Sequence, residues 1–232
     1  MEWYEHRHEE EAHRAFPPET PDMSPRQRLE LRLGRLFGVT HCHLVDDRDT
    51  AIRMAIGALF SPELGERAAF AGDEIMMIAA ENTSLPKAVS AFGGHVIRPP
   101  LSSVEPAISR EAMEAALSMS TRAILVEHVP QCLKNMHTVR DFCNKYDIWL
   151  VEIVRDVWQE RYEICGNSYA VGAVGDWSVC DLARLGVRGA AILTRDDFIS
   201  ALIRAAIDES EMPSDEAVEQ ALAKLPAGGD AL

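Results

Sequence analysis

Several places in this sequence hold residue types able to do chemistry. Glu127 and His128 follow the apolar run Ala123–Val126 and would offer an acid/base pair at the end of a strand. Cys180, with Asp181, Arg184 and Arg188 behind it, could supply a nucleophilic sulfur beside cations, although a cysteine in a core-facing strand is more commonly inert. Asp156 follows another apolar run. The turn Asp46-Asp47-Arg48-Asp49 precedes a stripe of Ile52, Ala55, Ile56 and Leu59, and its carboxylates suit a helix cap. The pairs His6/His8 and His41/His43 have the spacing that puts two imidazoles on one face of a strand, as metal ligands can be. No third ligand is fixed near either pair, so no metal site is expected.

The elements that must position these groups alternate along the chain. Ser24 and Pro25 open a helix carrying Leu29, Leu33 and Leu36, which Gly38 stops. A strand at His43–Val45 and a helix from Thr50 to Leu59 follow. The rhythm continues with a strand at Glu74–Ala79, a helix at Leu85–Phe92, a strand at His95–Ile97, a helix capped by Ser109 and the strand Ala123–Val126. Next come a helix at Met136–Tyr146, a strand at Ile148–Val154, strands around Val179 and Ala190–Leu193, and a helix at Asp196–Ile207. Strands separated by helices imply parallel pairing with right-handed crossovers, hence an α/β fold: a mostly parallel central sheet with helices on both faces. Such sheets bind ligands at the carboxyl ends of their strands, which directs attention to the turns after Val45, Ala79, Val126 and Val154.

Composition narrows the partners. Asp and Glu outnumber Lys and Arg 37 to 23, and a net charge of -14 repels nucleic acid and anionic lipid, so neither is an expected partner. The polar start of the chain offers no apolar stretch for a leader peptide, and no segment reaches the roughly twenty apolar residues of a membrane span. The cysteines are odd in number and scattered, which predicts reduced thiols in a cytoplasmic protein. The expected organisation is an N-terminal arm over 1–25, one α/β domain over 26–208, and an acidic helix and tail over 209–232.

Several signatures then coincide in order: Gly72-Asp73-Glu74-Ile75, Ala91–Val96 (AFGGHV), Thr121–Ile124, Met136–Glu152, Gly172–Ser178 (GAVGDWS) and Gly189–Thr194 (GAAILT). Together they resemble the large domain of DegT/StrS-type sugar aminotransferases, fold-type I pyridoxal-phosphate enzymes, over roughly Leu29 to Ile207. The resemblance implies four devices for the cofactor, and each is altered here. The phosphate loop is matched by Asp46-Asp47-Arg48-Asp49, whose carboxylates oppose a phosphate dianion. The ring-stacking aromatic is matched by Glu81-Asn82-Thr83, with Asn82 in place of a ring. The aspartate that pairs with the pyridine nitrogen is matched by Ile153, and Asp156 falls where the family has a polar residue beside the ring. The Schiff-base lysine is missing from the segment between Asp176 and Gly189, about five residues shorter than the family loop by this reading, where Arg184 and Arg188 are the only cations.

By the same resemblance, family members pair through this domain and close a small C-terminal domain over the substrate, before which this chain ends. The expectation is therefore a pseudo-enzyme without bound pyridoxal phosphate, acting as a homodimer or as the heteromeric partner of an active relative. The alternatives are a cofactor-free enzyme or small-molecule binder that reuses the cleft through Glu127, His128, Asp156, Cys180 and Arg184, and an atypical pyridoxal-phosphate aminotransferase.

Overall fold

The computed structural model describes residues 16–78, 84–100, 108–128, 135–155, 157, 160–164, 167–208 and 213–225. Helix α1 (Pro25–Phe37) is opened by Ser24, whose hydroxyl accepts from the Gln27 amide while the Gln27 side chain accepts from the Ser24 amide, so two end groups are served reciprocally. It leads into β1 (His41–Val45), and Asp47 then caps α2 (Arg48–Leu59), which begins two residues before the expected Thr50. Strand β2 (Glu74–Ile78), α3 (Ser84–Ala91), β3 (His95–Ile97), α4 (Arg110–Ala116), β4 (Thr121–His128), α5 (Met136–Tyr146) and β5 (Trp149–Val154) follow.

Beyond β5 the chain departs from the expected alternation. Strands β6 (Arg161–Ile164) and β7 (Asn167–Ala170) form an antiparallel hairpin that the expected alternation of strands and helices does not include. Then come β8 (Trp177–Asp181), a 3-10 turn at Leu182–Leu185, β9 (Ala190–Thr194), α6 (Asp197–Ala206) and α7 (Asp215–Leu222). Helix α7 packs on α1, where Arg28 pairs with Glu219 at 3.1 Å.

Among the described residues the main sheet has seven strands in the order β1-β9-β8-β5-β4-β2-β3. The contacts β3-β2, β2-β4, β4-β5 and β5-β8 are parallel, while β9 runs antiparallel to both its neighbours. The mostly parallel α/β architecture is as expected. One core lies between the sheet and α1, α5, α7 and the hairpin; the other lies beneath α2, α3 and α6. Coverage on both faces explains why β5 and β9 are buried along their whole length and are apolar except for Glu152 and Thr194.

That coverage also fixes where alternate residues go. On β5, Leu150 and Val154 enter the α1-side core, whereas Val151 and Ile153 enter the α2-side core. Strand β4 extends to His128, so Glu127 and His128 are strand residues committed to opposite faces, not a pair beyond the strand. No helix of the described residues is long and apolar enough to cross a membrane.

Candidate functional site

At the carboxyl end of the sheet, on the α2 side, charged side chains from separate elements converge. Glu127 on β4 is fully buried. Arg48, the first residue of α2, reaches it with Nη2 at 3.6 Å from Glu127 Oε1, and Arg155, just past β5, approaches the same oxygen at 3.7 Å. Arg48 Nε lies 3.6 Å from Asp181 Oδ2 at the end of β8. The result is an alternating chain of charge, Asp181, Arg48, Glu127 and Arg155, spanning α2, β4, β5 and β8. Its spacings exceed ordinary hydrogen-bond lengths, so the attraction is mainly ionic.

The start of α2 is already capped. The Asp47 carboxylate accepts from the Thr50 amide at 2.9 Å and pairs with Arg188 at 3.1 Å. The Thr50 amide, with help from Arg188, holds the Asp47 carboxyl below its ordinary range. Asp49 adds a second carboxylate in the first turn. Gly189 presses on this corner, since a Cβ there would stand 2.6 Å from the Val45 carbonyl.

On the opposite face of β4, His128 Nε2 lies 2.7 Å from Glu152 Oε2, and the Tyr162 hydroxyl lies 2.8 Å from His128 Nδ1. Glu152 accepts further from the amides of Gly172 at 3.2 Å and Val174 at 2.8 Å, and from Gly175. Burial, the largest influence, pushes the Glu152 carboxyl up, yet His128 and the Gly175 and Val174 amides together hold it below its ordinary value. Burial, with Glu152 adding to it, raises the Tyr162 phenol far above its ordinary range. Gly172 makes this approach possible: its φ is +93°, and a Cβ there would meet Val154 Cγ2 at 2.8 Å.

The sequence-derived candidates therefore do not assemble into one cleft. Glu127 joins the charge chain, whereas His128 is locked into a buried network on the other face, so they cannot act as an acid/base pair on one substrate. Cys180 is fully buried in the α1-side core, and burial pushes its thiol well above its ordinary value, which removes the thiolate a nucleophile needs. Arg184 sits exposed on the 3-10 turn after β8. Asp156 and Asn82 lie outside the described residues. His41 bonds Asp197 at 2.7 Å and His43 bonds Ser200 at 2.9 Å, and the described residues contain no group of three or more potential metal ligands. Arg155, Glu152 and Tyr162 went unrecognised in the sequence. The usable signal was a glutamate, Glu152, inside the otherwise apolar β5, since a buried carboxylate must find partners.

The described residues do not fit pyridoxal phosphate. The anion-binding end of α2 is occupied by its own Asp47 cap and carries Asp49 beside it. Ile153 is fully buried in the apolar core where a carboxylate should face the ring nitrogen. Strand β8 ends in Asp181, and the described lysines stand elsewhere: Lys87 on α3, Lys145 paired with Glu114, and Lys224 after α7; Lys134 lies outside the described residues.

Residues 23–163 match the DegT/DnrJ/EryC1/StrS aminotransferase family. Lipopolysaccharide biosynthesis protein RfbH of Salmonella typhimurium is 33% identical over 151 residues, which are 64% of this chain and 33% of that protein. The dTDP-4-dehydro-2,6-dideoxy-D-glucose 3-dehydratase of Saccharopolyspora spinosa is 26% identical over 156 residues, 65% of this chain and 32% of that one. The chain thus spans about a third of the length of these curated relatives. Among solved structures, the E. coli GDP-4-keto-6-deoxy-D-mannose-3-dehydratase with bound hydrated PLP superposes with a TM-score of 0.65 at 21% identity, covering 79% of this chain and 46% of that one.

Proposed function

Because this chain belongs to the DegT/DnrJ/EryC1/StrS aminotransferase family, we propose that it is a non-catalytic member, a dimerisation or regulatory partner of an active relative. The observation that carries this reading is the position of Arg48. Where the family pattern calls for groups that grip a coenzyme, Arg48 bridges Glu127 and Asp181 of its own chain at 3.6 Å each. A phosphate entering here would face Asp47 and Asp49 as well as these carboxylates, and low-dielectric surroundings magnify that repulsion. The nature of the named relatives, a lipopolysaccharide biosynthesis protein and a deoxysugar 3-dehydratase, supports a supporting role in sugar-nucleotide metabolism. The buried thiols Cys42, Cys143 and Cys180 suit work in the reducing cytoplasm.

The test has two arms. Pyridoxal phosphate added to the purified chain, followed by borohydride, should leave neither a yellow absorbance band nor a covalent adduct by mass spectrometry. Co-expression with a full-length family member from the same genome should yield a stable heteromer with altered turnover. Covalent capture of the coenzyme on any lysine would sink the reading.

One observation favours a second reading. Nε and Nη2 of Arg48 are buried without a hydrogen-bond acceptor, so a small neutral molecule rich in acceptor oxygens, a sugar among them, would complete that guanidinium's bonding. A thermal-shift panel of sugars, repeated on Arg48→Met, tests it: stabilisation lost in the variant supports the idea, and no stabilisation by any sugar removes it.

A further inference from the structure

We propose that the amino end of the sheet carries a binding site for a free α-amino acid with an apolar side chain. The site is the cleft where the starts of β4 and β5 meet the 3-10 turn Pro62–Arg67. The proposal goes beyond the reading above and does not rest on it. Arg122 in this cleft and Glu127 in the charge chain stand at opposite ends of β4, roughly 16 Å apart along the strand.

The cleft encloses about 650 Å³, ample room for an amino acid. Arg67 on its wall is held rigidly yet left short of acceptors. Its carbonyl accepts from the Trp149 indole at 2.9 Å, and its guanidinium lies 3.5 Å from the centroid of the same ring, so one tryptophan fixes both ends of the residue. Asp147 Oδ1 stands 3.2 Å from Nε, but that nitrogen is buried without a hydrogen bond, so the pair is ionic only. Arg122 lines the same cleft and donates from Nε to Asp73 at 3.1 Å. Among the described residues nothing accepts from the Nη groups of either arginine. Two planar forks with unused N–H groups suit a carboxylate.

A bare anion is the wrong match, because the exposed carboxylates of Glu66 and Asp147 line the cleft as well. A molecule with an ammonium beside its carboxylate satisfies both signs. Leu117, Met119 and Ile148 add apolar surface, and Met119, 98% exposed, leaves nearly all of its side chain for a ligand to cover. An α-amino acid such as leucine carries all three features, carboxylate, ammonium and apolar branch, on one small frame.

Isothermal titration of the full chain with L-leucine, L-leucinamide and 4-methylpentanoate tests the proposal. L-leucine should bind at one site per chain. The amide lacks the carboxylate and the acid lacks the ammonium, so each should bind about tenfold or more weakly. Arg67→Met keeps an apolar stem over Trp149 and should weaken L-leucine by a similar factor. Arg122→Gln should do the same, and it leaves the Trp149 contact intact should the first variant fail to fold. Asp147→Asn, which tolerates this residue's φ of +51°, should weaken L-leucine but not 4-methylpentanoate. Arg48→Met, at the other end of the sheet, should leave the titration unchanged. No binding of L-leucine, L-methionine or L-phenylalanine would overturn the proposal, as would an amide that binds as tightly as the amino acid. So would a titration indifferent to both arginine variants of the cleft, or one lost only in Arg48→Met.

Discussion

Glu127 and His128 are neighbours on one strand, both buried, and they answer the cost of burial in different ways. His128 is held by short hydrogen bonds, 2.7 Å to Glu152 and 2.8 Å to Tyr162, within a network that also takes up amides of the 171–176 loop. Glu127 lies between two arginines at 3.6 and 3.7 Å, one of them, Arg155, 42% exposed. The first arrangement is directional and dry, and it ties the hairpin and a loop to the sheet. The second is ionic and reaches toward solvent at the end of the sheet where ligands bind in folds of this kind. A buried polar network with its partners in place is architecture, whereas a looser cluster at the mouth of a sheet is where function was kept or has been replaced.

Breaking the directional network should have the largest effect. Glu152→Ala leaves His128 and the Gly172, Val174 and Gly175 amides without their acceptor, and should cost about 3–5 kcal/mol in urea unfolding. Glu152→Gln keeps an acceptor oxygen and should cost less than half of that. Glu127→Gln should cost only about 1–2 kcal/mol, because each arginine around it has either Asp181 or solvent to turn to. Repeating both melts in high salt sharpens the contrast: the Glu127→Gln difference should shrink, and that of Glu152→Ala should not. Equal costs with equal salt response would erase the distinction drawn between the two faces.

How much of this was legible beforehand depended on burial. Continuous apolar runs such as Trp149–Val151 and Ala190–Leu193 declare themselves as strands covered on both faces, although the second pairs antiparallel, and helix boundaries followed from caps such as Ser24 and Ser109. The hairpin was not legible because its strands are four residues each, with the exposed Arg161 and Glu163 alternating with Tyr162 and Ile164 in a stretch too short to separate from loop. Strand β4 runs on to His128 for a related reason: polar residues signal the end of a strand unless tertiary partners accept them, as Glu152 and Tyr162 accept His128. At the site, the substitution of Ile153 for a carboxylate could be read from the resemblance alone. The reach of Arg48 across to Glu127 and Asp181 could not, because nothing local to the sequence states which strand ends become neighbours.

Acid should separate the directional network from the rest of the molecule. The folded Glu152 carboxyl titrates below its ordinary 4.5, so its stabilisation is complete above that pH and is lost as pH falls through the lower folded value. His43 behaves in the opposite sense. Burial, with His41, Arg204 and Arg26 adding to it, lowers its ring from 6.5 to about 4, so below 6.5 the unfolded chain takes up a proton that the fold declines. Stability should therefore slip first between pH 6.5 and about 4, and then further below 4.5. His43→Gln should flatten the upper decline and leave the lower one, while Glu152→Gln should do the reverse. A single decline shared by both variants would mean that the two groups do not titrate independently.

The smallest effect belongs to the outermost part of the charged face. Arg188 is 84% exposed and meets Asp47 at 3.1 Å, and an ion pair so open to solvent contributes about 0.5 kcal/mol or less. Asp47 has a second task, since its other oxygen caps α2 through the Thr50 amide, and losing a cap costs about 1 kcal/mol. Asp47→Asn keeps an acceptor for that amide and removes the charge, so it isolates the electrostatic share. The expected order in thermal melts is Asp47→Ala most destabilised, then Asp47→Asn and Arg188→Ala close together. A double-mutant cycle between positions 47 and 188 should give a coupling near zero in high salt. A coupling that survives salt would mean that Arg188 is held against the end of α2 as firmly as Arg48 is, and the charged face would then be as fixed as the buried network behind it.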